Sequence, residues 1–181
     1  VISYLKVKHS EETMATQTIP REFPEYENVL KLIESINPAN EIDKRDRALI
    51  TFALLTGMRD AAIATLPLNC VDIKTQRIYQ DPNKGVKTKN SKYIETTIFK
   101  FDEKLIEILR EWINFLIDKG FDGNNPVFPR SKKNKDEINI SFNDSVEVEP
   151  VYWTNAGSIR KILKKRFEAA GLKYFPPHTF R

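Results

Sequence analysis

Apolar residues recur at helical spacing along five segments of the chain. Apolar positions three and four residues apart lie on one face of an α-helix, where the rest of a protein can cover them. The segment after Asp102 has the clearest pattern, because Leu105, Leu109 and Trp112 fall on one such face. Glycines at the ends of these segments, such as Gly57, are typical of helix C-termini. The helices predicted in this way cover residues 25–36, 43–57 (with Asp43 as N-cap), 60–66, 102–119 and 155–170.

Between the third and fourth predicted helices the apolar pattern changes to the alternation typical of β-strands. Residues 77–80, 86–88 and 93–98 are predicted as short strands, with a lysine-rich turn at 89–92 between the last two. The sequence therefore predicts a mainly α, mixed α+β domain, in which a helical bundle carries a small antiparallel sheet of two or three strands.

Two segments lack a stable apolar period. Residues 1–24 are polar and end with Pro20 and Pro24, so we expect an extended arm or linker in front of a domain that spans residues 25–181. Residues 130–150 form a charged insertion, in which a basic run is followed by an acidic run. We expect a flexible loop or a poorly defined hairpin there.

The composition permits nucleic-acid binding without requiring it. The chain has 181 residues with 29 Lys and Arg against 25 Asp and Glu, and the resulting net charge of +4 is a mild basic bias. The single cysteine, Cys70, excludes an internal disulfide and a cysteine-based zinc cluster, and it indicates a reducing, cytoplasmic setting. His9 has no cysteine or second histidine nearby, so no metal site is expected. No apolar run reaches membrane-spanning length, so no membrane partner is expected.

Three side chains at the ends of predicted helices suggest chemistry on a phosphodiester. Arg59 follows the glycine that ends the second helix, while His178 and Arg181 follow the last helix with two residues between them. A guanidinium group can grip two phosphate oxygens at once, and an imidazole can move a proton near neutral pH. Each motif alone has a simpler explanation. Arg59 would be a solvated residue at a helix start, and His178 and Arg181 would cap a helix or form a salt bridge.

Lysines on two predicted elements have both an ordinary and a functional interpretation. At the turn of a hairpin they are solvated and protect a sheet edge, but one of them could reach the leaving oxygen of a phosphodiester as a general acid. On the outward face of the last helix, which is predicted to include Arg166, they would contact a DNA backbone only if DNA is already the ligand. The lysines concerned are Lys87, Lys89 and Lys92 in the hairpin and Lys161, Lys164 and Lys165 on the helix.

The order of these segments resembles the catalytic domain of the tyrosine recombinase, or phage integrase, family. The resemblance runs from about Tyr26 to Arg181. It combines an arginine after Thr56-Gly57, a lysine-bearing hairpin, a long helix, and a Pro-His-x-x-Arg motif after a helix that ends in Ala-Gly-Leu. This combination favours the functional interpretation of both arginines and the histidine.

The resemblance implies a role for each of these residues. Arg59 and Arg181 would bind the non-bridging oxygens of the scissile phosphate and stabilise the pentacoordinate transition state. Lys87 would protonate the leaving 5′ oxygen, with Lys89 as the second candidate because the register of a hairpin can shift by one residue. His178 would accept or orient the proton of an attacking tyrosine. The family needs no metal or nucleotide cofactor, since a 3′-phosphotyrosyl link conserves the bond energy for strand exchange.

The resemblance also implies partners and a setting. The parent protein would be a site-specific recombinase of a bacterium, phage or other mobile element, acting as a tetramer on double-stranded DNA. Lysines of the hairpin and of the last helix would contact the DNA. A helical DNA-binding domain would precede residues 1–24, which would be the linker leaving it.

Two departures from the family pattern leave alternatives open. The family's second His or Trp and its nucleophilic tyrosine follow the His-x-x-Arg motif, where this chain ends, so the fragment itself is expected to be inactive. Ala62 stands where the family usually has an acidic residue. One alternative is a catalytically silent DNA-binding regulator with the same fold, and another is an enzyme of the type IB topoisomerase kind.

Overall fold

The computed structural model describes residues 22–132 and 146–180. This part of the chain contains five α-helices and a three-stranded antiparallel sheet. The predicted fold class, mainly helical with a small antiparallel sheet, is confirmed. No helix in these ranges is long and apolar enough to cross a membrane. The helices are α1 (Tyr26–Ser35), α2 (Glu41–Thr56), α3 (Asp60–Ala64), α4 (Glu103–Asp118) and α5 (Gly157–Ala169). The strands are β1 (Val71–Asp72), β2 (Arg77–Gln80) and β3 (Ile94–Thr97).

Helix α2 lies at the centre of the domain, in contact with α1, α4 and α5. Its apolar residues are buried on several faces, as those of a central helix must be, and Phe52 packs edge-to-face against Phe128 with ring centroids 5.2 Å apart. The predicted N-cap was wrong. The side chain of Asn40 caps the helix by accepting a bond from the backbone N–H of Asp43 at 2.9 Å, so the helix starts earlier and the Asp43 carboxylate is free to bind elsewhere.

Gly57 ends α2 in the left-handed conformation, with φ 55° and ψ 21°, and its N–H donates to the carbonyl of Ala53. This turn directs the chain into Arg59 and the short helix α3. The predicted C-terminus of α2 is therefore confirmed.

Replacing Gly57 with alanine is expected to lower the free energy of unfolding by about 1–2 kcal/mol, because a Cβ is unfavourable in the left-handed region. Urea denaturation followed by circular dichroism measures this loss. Asparagine tolerates the same conformation, so Gly57→Asn is the matched control and should lose less. Equal losses for both variants would contradict the conformational explanation.

The sheet has the order β1–β2–β3, with Ile78 paired to Val71 on one side and to Thr96 on the other. The predicted strand at 86–88 was wrong. The connection between β2 and β3, residues 81–93, contains two short 3-10 helices instead. The carboxylate of Asp81 caps the first of them, and Gly85 ends it with φ 86°, so the backbone turns directly after β2 instead of continuing as a strand.

The ends of the charged insertion pair with each other. Ser131 forms an antiparallel bridge with Val148, and salt bridges join Arg130 to Glu149 at 2.5 Å and Lys132 to Glu147 at 2.8 Å. The basic run and the acidic run therefore meet at this base, as a hairpin requires. The flexible loop expected within the insertion falls on residues 133–145, which lie outside the described residues, as do residues 1–21 of the expected arm.

Candidate active site

A cleft of about 400 Å³ brings Arg59 and His178 together, although 118 residues separate them in the sequence. Three elements form its walls: the start of α3, the first turn of α5, and the segment that follows α5. Of the predicted site residues, Arg181 lies outside the described part of the chain. The residues that line the cleft are Arg59, Asp60, Arg160, Pro176, Pro177 and His178.

Arg59 reaches the cleft because of the turn that Gly57 makes. Met58 is buried after the turn, and Arg59 has extended backbone angles (φ −68°, ψ 140°) at the N-cap of α3. Within the described residues its guanidinium group makes no hydrogen bond and no salt bridge. An arginine that is partly buried beside a cleft and lacks a protein partner can accept an anionic ligand at no cost in lost contacts.

His178 is held by an aromatic cluster around Phe167 of α5. The ring of Phe167 contacts the rings of Tyr174, Phe175 and Phe180 in edge-on geometry, with centroids 6.0–6.4 Å apart. These contacts anchor the chain on both sides of His178, which lies in a short 3-10 helix, Pro177–Phe180, with its own side chain exposed.

The cleft contains one ion pair that the sequence did not predict. Arg160 Nε donates to Asp60 Oδ2 at 2.6 Å, and this hydrogen bond, followed by the carboxylate charge, raises the pKa of Arg160. The other oxygen of Asp60 accepts from the N–H of Ala61 at 2.9 Å. Two arginines against one aspartate give the lining a net positive charge.

Lys87 lies outside this cleft. Its backbone N–H donates to Thr65 Oγ1 at 2.9 Å, and Thr65 is at the end of α3 opposite to Arg59, about 9 Å away along the helix axis. The side chains of Lys87, Lys89 and Lys92 are all exposed on the connection 81–93. The structure therefore does not bring the hairpin lysines into the cleft.

Replacing Thr65 with valine is expected to lower the free energy of unfolding by about 1 kcal/mol, because it removes the acceptor that holds the Lys87 backbone while keeping the side-chain volume. Hydrogen exchange should show faster exchange of the Lys87 amide. The hydroxyl groups of Thr51 and Thr65 each donate to the backbone carbonyl four residues before them. Among the described residues Thr51 accepts no bond from a second segment, so Thr51→Val is the control. Unchanged protection of the Lys87 amide in Thr65→Val would contradict the role of Thr65.

The last helix exposes its lysines as predicted, but not Arg166. Lys161, Lys164 and Lys165 are exposed, and Lys164 lies 3.7 Å from Glu168. Arg166 lies on the face of the buried Leu163, three residues before it, and turns inward to the carboxylates that α2 offers. The predicted outward orientation of Arg166 was wrong.

Arg166 belongs to a partly buried ionic network that joins α5 to α2. It binds Asp43 at 2.6 Å and Asp46 at 2.7 Å, and Asp46 also binds Arg45 at 2.7 Å. Burial disfavours the charged form of Arg166, but the two carboxylates outweigh it and raise the pKa of Arg166. Arg45 in turn lies over the ring of Trp153 at 5.1 Å. The network fixes α5, and hence the chain that carries His178, against the helix that leads to Arg59.

Sequence comparison assigns the class of protein. The chain matches the phage integrase family over residues 23–181, and it therefore belongs to that family. No curated protein matches the chain.

Comparison with solved structures supports the same fold. The chain is similar to the crystal structure of XerA recombinase, with a TM-score of 0.61 and 17% identity over 88% of this chain and 46% of that one. It is also similar to XerH site-specific recombinase bound to its difH substrate in a pre-cleavage complex, with a TM-score of 0.50 and 18% identity over 88% of this chain and 40% of that one. The chain thus spans less than half the length of either recombinase.

Proposed function

We propose that the protein containing this chain is a site-specific DNA recombinase that cuts and rejoins duplex DNA through a 3′-phosphotyrosyl intermediate. The observation that carries this proposal is the cleft in which the guanidinium of Arg59, unpaired among the described residues, lies beside His178. Membership of the phage integrase family supports it. The nucleophilic tyrosine would lie after residue 181.

The proposed reaction uses each site residue once. Arg59 and Arg181 bind the non-bridging oxygens of the scissile phosphate, and they stabilise the charge that grows there as the tyrosine oxygen bonds to phosphorus. His178 takes the proton of the tyrosine hydroxyl. The bond from phosphorus to the 5′ oxygen breaks, and Lys87 gives that oxygen a proton. The reverse sequence, with a new 5′ hydroxyl as the attacking group, rejoins the strands.

Lys87 requires a movement in this mechanism. Its side chain is exposed on the connection 81–93, outside the cleft. In the proposed reaction this segment would fold onto bound DNA and bring the ammonium group of Lys87 to the leaving oxygen. Lys89 is the second candidate on the same segment.

Duplex DNA is the proposed partner, bound by a tetramer of the complete protein in the cytoplasm. Exposed lysines would contact backbone phosphates, namely Lys89, Lys92, Lys161, Lys164 and Lys165. The solved XerH neighbour is a complex with its difH substrate, which supports DNA as the ligand. Residues 1–24 would link residues 25–181 to a preceding DNA-binding domain.

The test uses the full-length protein and DNA that carries the sequences flanking its own gene. A covalent protein–DNA adduct that survives denaturing electrophoresis, with the DNA joined through its 3′ phosphate to a tyrosine, is the expected result. Absence of an adduct with any such DNA would overturn the proposal. Relaxation of supercoiled plasmid without a preferred site would identify a type IB topoisomerase activity instead.

One observation favours a second candidate, a DNA-binding regulator that has lost cleavage. Ala62 is buried at 1% exposure where the family usually has a carboxylate, and Asp60 binds Arg160 rather than Arg59. Arg59 therefore lacks an acidic support among the described residues. Tight binding to a specific DNA site without any adduct would favour the regulator.

A further inference from the structure

Arg160 occupies the same cleft as Arg59 and His178, on the opposite helix. It lies in the first turn of α5 and makes one hydrogen bond there, from Nε to Asp60. Within the described residues neither of its two terminal nitrogens has a partner. A guanidinium group held through Nε still offers a pair of N–H donors, and such a pair can bind a phosphate.

Stability does not account for an arginine at this position. The side chain of Arg160 is 59% exposed, and exposed ion pairs contribute only about 0–1 kcal/mol to folding. Helices α3 and α5 already contact each other, and both contribute buried apolar residues, such as Ile63 and Ile159, to the core. The pair is therefore better explained by its place in the cleft than by the fold.

The carboxylate of Asp60 explains why an arginine is paired with it in this cleft. A carboxylate in a cleft that receives a phosphate repels it, unless a cation neutralises the carboxylate. Asp60 is fixed by the N–H of Ala61 through one oxygen and by Arg160 through the other. It can therefore orient the arginine, while Arg160 cancels its charge and keeps two donors for the ligand.

We propose that Arg160 is a further phosphate-binding residue of this cleft and that Asp60 is the positioning residue that holds it. This inference rests on the proposed function, because it takes the DNA backbone as the ligand. The contact between Arg160 and a DNA phosphate would be charge-assisted, and it would add to the contact made by Arg59.

The salt dependence of DNA binding tests the role of Arg160. The affinity of the chain for a fluorescein-labelled duplex of arbitrary sequence is measured between about 50 and 200 mM salt, where each phosphate contact contributes about 0.9 to the logarithmic slope. Arg160→Ala is expected to reduce the slope by about 0.9, as is Arg59→Ala. Arg77 forms an exposed pair with Glu95 at 2.7 Å outside the cleft, so Arg77→Ala is the matched control and should leave the slope unchanged.

The outcomes separate the two proposals. A reduced slope for Arg59→Ala, together with Arg160→Ala behaving like Arg77→Ala, would overturn the inference about Arg160 alone. Unchanged slopes for both cleft variants would count against DNA binding in this cleft, and hence against the proposed function as well. The unfolding temperature of each variant should stay near that of the parent chain, since the side chain of neither arginine contributes much to folding stability.

A double-variant comparison tests the role of Asp60. Asp60→Asn removes the charge and keeps an oxygen for the N–H of Ala61. In the Arg160→Ala background this change only relieves repulsion, so DNA affinity should rise. In the parent chain it also releases the arginine, so the gain should be smaller or become a loss. Equal gains in both backgrounds would overturn the positioning role.

Discussion

Replacing Arg59 with alanine is expected to slow DNA cleavage by the full-length protein by about 10²–10³-fold or more. The guanidinium group has no partner among the described residues, so its charge and its donors are available to the phosphate. Charge on the phosphate oxygens grows as the tyrosine attacks, and a fixed arginine stabilises that state more than the ground state. The rate of adduct formation under single-turnover conditions measures the loss.

Two controls make this result specific. Arg59→Lys keeps the charge but loses the two-pronged geometry, so it should recover only part of the rate. Arg110→Ala removes an arginine from an exposed cluster on α4 that does not line the cleft, and it should cleave at the parental rate. Because the guanidinium group of Arg59 makes no hydrogen bond or salt bridge among the described residues, the Arg59 variants should unfold at the parental temperature. A rate within threefold of the parent, roughly 0.7 kcal/mol, would contradict the proposed role.

Replacing Asp46 with alanine is expected to lower the free energy of unfolding by about 3–5 kcal/mol, because it leaves the buried Arg45 and the partly buried Arg166 without their shared partner. One oxygen of Asp46 accepts from Arg45 at 2.7 Å, and the other accepts from Arg166 Nε at 2.8 Å. Arg45 and Asp46 are only 2% and 4% exposed, so water cannot replace the lost contacts. Urea denaturation followed by circular dichroism gives the value.

The control for Asp46 is a carboxylate in an exposed pair. Glu95→Ala breaks the bond to Arg77, whose side chain is 47% exposed, and should cost about 0–1 kcal/mol. Asp46→Asn should fall between the two, since an amide keeps an oxygen acceptor but cannot balance the charges. A loss below about 1 kcal/mol for Asp46→Ala would show that the network relaxes or hydrates, contrary to the expected cost of an unpaired buried charge.

The helices could be predicted from the sequence because their signals are local. The apolar spacing of α4, its cap at Asp102 and the glycine after α2 each depend on neighbouring residues alone, and the structure confirms all three. The strand expected at 86–88 failed for a local reason as well. Asp81 and Gly85 favour a capped turn that ends β2, and the alternation of apolar residues does not register this competition.

The rest of the site depends on contacts between distant segments. Arg166 turns inward because Asp43 and Asp46 of another helix offer it partners, and Arg160 enters the cleft because α5 packs against α3. The sequence of α5 alone shows only a row of basic residues. The order of the motifs along the whole chain nevertheless indicated Arg59 and His178, which meet in the cleft. The catalytic roles of these two residues stay predictions, as do those of Lys87 and Arg181.

Because the two ends of the charged insertion are paired with each other at its base, the fold does not depend on the number of residues between them. Glu41 of α2 clamps this base, since its N–H donates to the carbonyl of Val146 and its carboxylate accepts from the N–H of Val148. With both ends held, doubling the number of intervening residues costs only about 0.6 kcal/mol of closure entropy. An affinity tag or a fluorescent label inserted there is therefore expected to leave the geometry around Arg59 and His178 intact.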